Sequence, residues 1–428
     1  MNLHFILLFV MLFGFMALGI PVAIAMVISS MIYMAVFDIS IYSAVVQSVS
    51  APMSQTLLAT GFFILAGNLM NRGGVTRKIF NFAQDIVGWI PGGLAHANVV
   101  ASVIFAGMSG SATADAGGLG QIEVEAMTDK GYDLDFSLAV TGASTILSPI
   151  IPPSVPAVML ACITGVSTGR LFMAGIVPGI VYAGAMMVMI VFISLKRGYP
   201  RNPWPSRKVF VQDLISAFFP LLTPVIILAC IYNGVVTPSE AAVLAGVYAT
   251  ILGLVTRDLK IRELPHIFKD GCELLISILF IVIATKMFSY IITLEQVPAT
   301  ISKIMMANVS SPTVCLLIVM LVLLICGCVM DNTATIFIVA PVLFPVATAM
   351  GVDPVQFCIV FSFTLMIGVI TPPVGMVLFV LQGMSGIEFG KLCKAMFPFM
   401  LLAIGMSILM ILVPGITTWL PNLIYGAM

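Results

Sequence analysis

Charged side chains are rare in this sequence. The 428 residues include 18 basic and 18 acidic side chains, which make up 8% of the chain, whereas 61% of the residues are hydrophobic. With a mean hydropathy of +1.17, too few polar side chains remain to cover a soluble particle of this size. The balance of charges also gives no net field that would attract nucleic acid. The composition therefore indicates a multi-span membrane protein.

Motifs of metal sites and of common enzymes are missing as well. The sequence has three histidines and eight cysteines, and it contains no CxxC pair, no HExxH motif and no P-loop. No zinc site, metalloprotease centre or nucleotide cradle is therefore predicted. We expect the cysteines to be small packing residues, and we expect no enzymatic activity.

Apolar runs are long enough to cross a bilayer, for which about 20 residues are needed. These runs are 5–37, 171–195, 212–232, 238–256, 271–292, 313–330 and 396–414. The first run lacks a basic leading segment and is far longer than the core of a signal peptide, so we interpret it as one retained span.

Residues 108–161 and 328–381 repeat one pattern at a constant offset of 220 positions. SGSATAD in the first copy matches DNTAT in the second, GYDLD matches GVDP, and SPIIPPS matches GVITPPVG. Chance pairing among 25 prolines would not make all three features agree at one offset. Apolar segments that Gly, Pro and hydroxyl residues interrupt at matching places indicate a binding site built from unwound membrane helices, as in transporters.

Basic residues predict the orientation, because Lys and Arg accumulate in cytoplasmic loops. Fifteen of the 18 basic residues fall in five loops, near 72–78, 130, 196–208, 257–269 and 391–394. A cytoplasmic N-terminus places all five inside and leaves the C-terminus periplasmic. The first hairpin, 93–128, then enters from the cytoplasm and the second, 312–348, from outside. The two repeats are predicted to be inverted.

Freed backbone at a tip or break must line a filled cavity rather than face lipid. Each tip together with the break of its repeat gathers carbonyl and hydroxyl oxygens, which suit a small alkali cation such as sodium. The candidate sodium ligands are Ser109, Gly110, Ser111, Ser148, Ile150, Asp331, Asn332, Thr333, Gly368 and Thr371. For any one hydroxyl, a bond to its own helix backbone remains an equal alternative.

The half-helices after each tip and break should present unpaired N–H groups, which favour an anionic substrate. The candidate substrate ligands are Thr113, Asp115, Pro153, Ser154, Thr335 and Pro372. Asp115 could instead cap the second limb of its hairpin. Glu123 and Glu125 are expected to be solvated or paired with Lys130, and Lys286 to pair with another helix or subunit.

Around the hairpins the chain resembles a known family. AGMSGSATADAGGLGQIEVEAM and SPIIPPSVPAVML in the first half, and MDNTATIFIVAPVLFPVA and GVITPPVGMVLFV in the second, are similar to the large membrane subunit of tripartite ATP-independent periplasmic (TRAP) transporters. The resemblance covers essentially all 428 residues. It implies sodium coupling and an elevator mechanism in the bacterial inner membrane, with a small four-span subunit and a periplasmic binding protein as partners. It also implies cation ligands at Ser109, Ser111, Ser148 and Ile150, and at Asp331, Asn332, Thr333 and Gly368.

The predicted domains alternate between a scaffold and a transport domain. Residues 1–90 and 171–310 form scaffold spans, residues 91–170 and 311–395 form the transport domain, and 396–428 form a C-terminal span. Amphipathic segments at 75–90 and 299–309 are predicted arm helices that connect the two bodies. The expected substrate is an organic acid: sialic acid, which we prefer, another sugar acid, or a four-carbon dicarboxylate. The alternative is a self-sufficient sodium-coupled carboxylate carrier that needs no binding protein.

Overall fold

The structure is a computed structural model that describes residues 4–50, 55–72, 74–233, 235–309, 311–373 and 375–426. Every regular element within these ranges is a helix. An all-α chain is expected in a bilayer, because a helix satisfies its backbone hydrogen bonds within its own segment.

The helices of the first half are α1 Phe5–Ala17, α2 Val22–Val36, α3 Ile41–Ser50, α4 Gln55–Arg72, α5 Val75–Val87, α6 Gly93–Ser109, α7 Ala112–Gly117, α8 Leu119–Asp129, α9 Leu134–Ser144, α10 Val155–Thr164 and α11 Thr168–Arg197. A short 3-10 helix, Thr145–Leu147, extends α9. The helices of the second half are α12 Arg207–Tyr232, α13 Pro238–Val255, α14 Leu264–Leu294, α15 Val297–Asn308, α16 Pro312–Val329, α17 Asn332–Ala349, α18 Pro354–Val369, α19 Met376–Ser385, α20 Phe389–Leu412 and α21 Gly415–Tyr425.

The hairpins and broken helices of the two halves correspond at the predicted offset. Hairpin 1 consists of α6 to α8 and hairpin 2 of α16 and α17; broken helix 1 consists of α9 and α10, and broken helix 2 of α18 and α19. The peptide bonds Pro152–Pro153 and Pro372–Pro373, one in each break, are both cis. The predicted fold class, an all-α polytopic membrane protein with repeated hairpins and broken helices, is confirmed.

The two broken helices lie at the centre of the molecule. All residues of α18 from Val355 to Val369 are buried, and so are all residues of α9 from Phe136 to Ser144. A helix that is buried on every face belongs to the core of a large protein. The rest of the molecule is therefore built around these two helices, which lead directly into the breaks.

The apolar run 5–37 is not one span, so that prediction is wrong. It folds as α1 and α2, which are separated at residues 18–21. Gly19 has a φ of +83°, and Pro21 cannot donate a backbone hydrogen bond to a continuing helix. A glycine in the left-handed region followed by a proline ends one helix and begins another.

Six helical segments in the described part are long and apolar enough to cross a membrane. They are Thr168–Arg197, Arg207–Tyr232, Pro238–Val255, Ile261–Leu294, Asn332–Ala349 and Phe389–Leu412. The other apolar helices have 10–17 residues, a length typical of half-helices and hairpin limbs rather than of complete crossings.

Two short helices occupy the places predicted for the arms. Helix α5 buries Val75, Ile79 and Ala83 while Arg77 is exposed, and α15 lies at the same place in the second repeat with Lys303 exposed. The helices are present as expected. That they connect the scaffold to the transport domain stays a prediction.

The second limb of hairpin 1 is interrupted, whereas that of hairpin 2 is continuous. Helix α7 ends at Gly117 and α8 begins at Leu119. A Cβ atom on Gly118 would lie 2.4 Å from Nδ2 of Asn71, a side chain on α4. At this interruption the backbone of Gly118 in hairpin 1 therefore lies directly against the side-chain amide of Asn71 on a predicted scaffold helix.

Candidate functional site

A cavity of about 370 Å³, here named cavity 1, lies where the two hairpin tips meet. Its polar lining includes Ser111 and Thr113 from tip 1 and Asp331, Asn332 and Thr333 from tip 2. The opposite wall is formed by α4, through Ile64, Gly67 and Asn68, and by α14, through Leu274 and Ile278. One cavity thus joins both tips to two predicted scaffold helices.

Tip 1 is a tight turn between α6 and α7. Gly110 has a φ of +60°, and a Cβ atom there would lie 2.7 Å from the carbonyl oxygen of Pro153. Ser111 Oγ lies 3.3 Å from Thr113 Oγ1. The side chain of Ser109 lies outside the described part of the chain. Tip 1 therefore packs its backbone directly on break 1 and turns two hydroxyls into cavity 1.

Tip 2 begins α17 with a carboxylate cap. Asp331 Oδ2 accepts hydrogen bonds from the backbone N–H groups of Thr333 at 2.9 Å and Ala334 at 3.3 Å. The Oδ1 atom of Asn332 is buried and has no hydrogen-bond partner among the described residues. A buried amide oxygen without a donor is an uncommon arrangement, and it leaves an acceptor available to a cation.

The N-termini of the half-helices are occupied more than the sequence suggested. Asp331 caps α17, and Ser154 Oγ caps α10 by accepting from the N–H of Ala157 at 3.1 Å. The expectation that these helix starts present unpaired N–H groups is therefore wrong for Ala157 of α10 and for Thr333 and Ala334 of α17, whose N–H groups donate to a capping side chain. Helices α7 and α19 begin without a side-chain cap.

None of the four predicted ligands in the two breaks lines cavity 1, and three of them are buried. Ser148 is fully buried and Ile150 is 3% exposed. Gly368 is also buried, and a Cβ atom there would lie 2.5 Å from the backbone of Gly327 on α16. Thr371 Oγ1 donates to the carbonyl oxygen of Ile367 at 2.6 Å. The breaks therefore support the tips from behind, with Thr371 bonded to its own helix.

The candidate substrate ligands divide in the same way. Thr113 lines cavity 1, whereas Asp115, Ser154 and Thr335 are buried and Pro153 and Pro372 belong to the breaks. Thr335 Oγ1 donates to the carbonyl oxygen of Asp331 at 2.9 Å. The structure brings only Thr113 of this set to the cavity wall, and the ligand assignments stay predictions.

A buried polar network in the first repeat was missed by the sequence reasoning. Asn98 Nδ2 donates to Thr141 Oγ1 at 2.7 Å, Ser144 Oγ donates to Asn98 Oδ1 at 2.9 Å, and Ser102 Oγ donates to Ser144 Oγ at 3.0 Å. The spacing of Asn98 and Ser102 within an apolar run was an available signal, since residues four apart share one helix face. The network holds α6 against α9.

Glu123 does not lie where the sequence reasoning put it. Its side chain is 1% exposed, and neither carboxylate oxygen has a hydrogen-bond partner among the described residues. The expectation that Glu123 is solvated or paired with Lys130 is therefore wrong, because α8 packs against α6 and α9 and turns this position inward. Burying a carboxylate without a partner is costly, which makes Glu123 an unusual residue.

Outside the spans, a charge cluster joins the turn before α9 to the end of α11. Arg197 Nη1 lies 2.9 Å from Asp133 Oδ2, and the Tyr199 hydroxyl donates to the same oxygen at 2.7 Å. Hydrogen bonds from Tyr199 and Arg197 lower the pKa of Asp133. Burial, together with the bond to Asp133, raises the pKa of Tyr199 to about 12. The cluster therefore stays charged at neutral pH and fixes one end of the hairpin region.

The chemistry that cavity 1 offers is the binding of a cation or a small organic molecule. No group of three or more His, Cys, Asp or Glu side chains that could hold a metal ion is present in the described residues. The polar atoms of cavity 1 are hydroxyl, amide and carboxylate oxygens, which are hard ligands suited to alkali or alkaline-earth cations. A cavity of this size also accommodates a small organic molecule.

Comparisons with known proteins agree with this architecture. The chain is 39% identical to the sialic acid TRAP transporter large permease protein SiaM of Vibrio cholerae, over 97% of this chain and 98% of that protein. It is 35% identical to the C4-dicarboxylate TRAP transporter large permease protein DctM of the same species, over 98% of each chain. Among solved structures, the YdaH transporter of Alcanivorax borkumensis superposes with a TM-score of 0.66 at 15% identity, covering 89% of each chain.

The likeness to YdaH concerns the fold alone at that level of identity, whereas the permease relatives match along nearly their whole length. These relatives are transporter permeases and not enzymes, as expected. Residues 9–416 match the family model of the tripartite ATP-independent periplasmic transporter, DctM component. The chain therefore belongs to the DctM family of multi-pass TRAP transporter large permeases.

Proposed function

We propose that this chain is the large membrane subunit of a sodium-coupled, binding-protein-dependent importer of an organic acid. Cavity 1 carries the proposal, because it joins both hairpin tips to α4 and α14. A substrate held there touches the predicted transport domain on one side and the scaffold on the other. In an elevator mechanism the tips and breaks slide along these two helices and carry the substrate with them.

Sodium is the proposed coupling ion. The buried Oδ1 atom of Asn332 supports a cation at tip 2, and the Asp331 carboxylate beside it supplies negative charge. At tip 1 the hydroxyls of Ser111 and Thr113 lie close enough to act on one ion. Sodium bound at these positions would neutralise Asp331, the one charged side chain among the described residues that line cavity 1, and so make the cavity acceptable to an anionic substrate.

The proposed substrate is a sugar acid or a four-carbon dicarboxylate, with sialic acid preferred because SiaM is the more similar of the two permeases described. A volume of about 370 Å³ falls at the lower end of the range for small-molecule sites. The proposed partners are a small membrane subunit and a periplasmic binding protein. The proposed location is the bacterial inner membrane, with the N-terminus cytoplasmic and the C-terminus periplasmic.

Uptake into proteoliposomes tests the proposal. The chain is reconstituted with its small subunit, and accumulation is measured for a panel of labelled acids with matched binding proteins and an inward sodium gradient. We expect one class of acid to accumulate only when sodium and binding protein are both present. Uptake without any binding protein would favour the self-sufficient carrier, and uptake indifferent to sodium would contradict the coupling.

A further inference from the structure

A second cavity continues the cleft in which cavity 1 lies. Cavity 2, of about 340 Å³, is lined by α10, α14 and α17, three of the helices that also line cavity 1. On α14 the lining moves from Leu274 and Ile278 in cavity 1 to Lys286 and Ser289 in cavity 2. On α17 it moves from Ile336 to Pro341. The two cavities are successive levels of one cleft between scaffold and transport helices.

Lys286 makes cavity 2 chemically different from cavity 1. It lies inside an apolar span, and no acidic side chain of the described residues is within 4 Å of it. Thr285, Ser289, Tyr290 and Thr293 line the same cavity. An unpaired ammonium in a membrane span is costly and marks a place where an anion binds or passes.

The repeat does not require this charge. At the offset of 220 positions, Lys286 corresponds to Ala66 and Ser289 to Leu69 on α4. The residues with which α14 lines cavity 1 are all apolar, whereas those with which it lines cavity 2 include hydroxyl groups and the charged Lys286. The two levels of the cleft therefore offer an anion very different surroundings.

The helix rise of α14 gives the distance between the two levels. Ile278 and Lys286 are eight positions apart on one helix, which corresponds to about 12 Å at 1.5 Å per residue. If α10 and α17 move along α14 by that amount, the tips leave the apolar wall and come to face Lys286. Helix α14 runs from the basic loop 257–269 to a connection without basic residues. Because basic loops are cytoplasmic, the level of Lys286 is the periplasmic one.

From this geometry we infer that Lys286, with Ser289 and Thr293, is the scaffold half of the substrate site in the outward-facing state, where its ammonium binds the carboxylate of the organic acid. The inference rests on the proposed function. It gives the importer an asymmetry: the anion is held by a charge at the periplasmic level and released when the tips return to the apolar wall of cavity 1.

The test measures transport in both directions with the complete complex in proteoliposomes. We expect Lys286→Gln to raise the KM for uptake about tenfold, equivalent to about 1.4 kcal/mol, and to leave half-saturation of efflux from the opposite face within twofold. Lys286→Arg should retain the uptake KM, because it keeps the charge. The matched control is Lys303→Gln on α15, an exposed lysine outside both cavities, which should change neither direction.

Other occupants of cavity 2 give different results. If the small subunit pairs with Lys286, the Lys286→Gln variant co-purifies with less of that subunit. If a lipid phosphate pairs with Lys286, the substitution changes uptake and efflux equally, and the change follows the anionic lipid content of the proteoliposomes. Either result overturns the inference, and so does an unchanged uptake KM. Absence of any sodium-driven uptake by the wild type would instead count against the proposed function.

Crosslinking decides the placement even without transport. In a chain whose native cysteines are replaced, Ile278→Cys with Ile336→Cys tests the level seen in this structure, since both residues line cavity 1. Lys286→Cys with Ile336→Cys tests the proposed outward level. We expect a bifunctional reagent of about 8 Å, less than the 12 Å travel that the helix rise gives, to trap both pairs as the protein exchanges states. Formation of the first without the second would overturn the inference.

Discussion

The hydroxyl of Ser148 donates a 2.7 Å hydrogen bond to Oδ2 of Asp115. Ser148 lies in the break of the first repeat and Asp115 in the second limb of hairpin 1, and both are at most 1% exposed. The other carboxylate oxygen of Asp115 has no partner among the described residues. This contact therefore ties the hairpin to the broken helix behind its tip.

Removing the Ser148 hydroxyl should destabilise the protein. Ser148→Ala removes the hydroxyl that donates to Oδ2 of the buried Asp115 side chain, and the loss of such a buried partner costs about 1–3 kcal/mol. We expect a lower temperature of thermal unfolding in detergent and a smaller stabilisation by sodium. The control is Ser137→Ala: the Ser137 hydroxyl donates to the carbonyl of Asp133, which keeps its helical N–H partner. Equal stability of the Ser148 variant and wild type would contradict the importance of the contact.

Asp331 should have two separable roles, as helix cap and as sodium ligand. Asp331→Ala should lose about 1 kcal/mol of capping energy and also raise the sodium concentration that half-activates uptake. Asp353 caps α18 through Val355 and Gln356 in the same way and lies outside cavity 1, so Asp353→Ala should lose stability only. If sodium activates both variants as it does the wild type, Asp331 acts only as a cap.

Membrane potential should drive accumulation. If two sodium ions enter with one singly charged anion, one net positive charge crosses per cycle, and 100 mV contributes about 2.3 kcal/mol. That energy corresponds to roughly a fifty-fold gain in the accumulation ratio. Proteoliposomes with imposed potassium diffusion potentials measure this dependence directly. Accumulation that does not respond to the potential would require an electroneutral stoichiometry.

The cluster of Asp133, Arg197 and Tyr199 should stabilise the protein in a pH-dependent way. Since the folded state lowers the pKa of Asp133, its contribution is complete above the unfolded pKa of about 3.9 and is lost as the pH falls through the lower folded value. Tyr199→Phe should therefore be less stable than wild type at pH 6–7, and the difference should shrink below about pH 4.

Thermal unfolding at a series of pH values checks this expectation. Tyr182→Phe is the control, because the Tyr182 hydroxyl is buried and donates to the carbonyl of Ala143 rather than to a carboxylate. Its stability difference should not vary over the same pH range. A Tyr199 difference that stays constant down to pH 3 would mean that the Asp133 bond contributes nothing.

A lock between the two predicted bodies should arrest transport. In a chain without native cysteines, Asn71→Cys with Gly118→Cys joins α4 to hairpin 1 where they touch. We expect oxidation to stop uptake and reduction to restore it. Ser102→Cys with Ser144→Cys, whose native oxygens are 3.0 Å apart, joins two helices of one body and should be tolerated. Full transport through the first lock would replace the sliding mechanism by rocking or gating.

The sequence predicted those parts of the fold that depend on local backbone chemistry. Gly110 turns tip 1, Asp331 caps tip 2 and a Pro-Pro pair lies in each break, so these places could be marked in advance. Proline alone is not a sufficient signal, because Pro178 and Pro398 lie inside continuous helices. The interruption at Gly118 depends instead on Asn71, which approaches from 47 positions away. The position of Glu123 could not be predicted for the same reason, because its burial depends on which face of α8 packs inward. From the sequence, its charge indicated a solvated position.

The polar network between α6 and α9 also distinguishes the two repeats chemically. The residues that correspond to Asn98, Ser102 and Thr141 in the second repeat are Ile318, Val322 and Phe361, whereas Ser144 corresponds to Thr364. Hydrogen bonds are directional and hold α6 and α9 in one register, whereas α16 lies on α18 through apolar side chains and the close backbone approach of Gly327 to Gly368. Two halves with one topology are therefore held to their broken helices by different forces: directional polar bonds in the first and close apolar packing in the second.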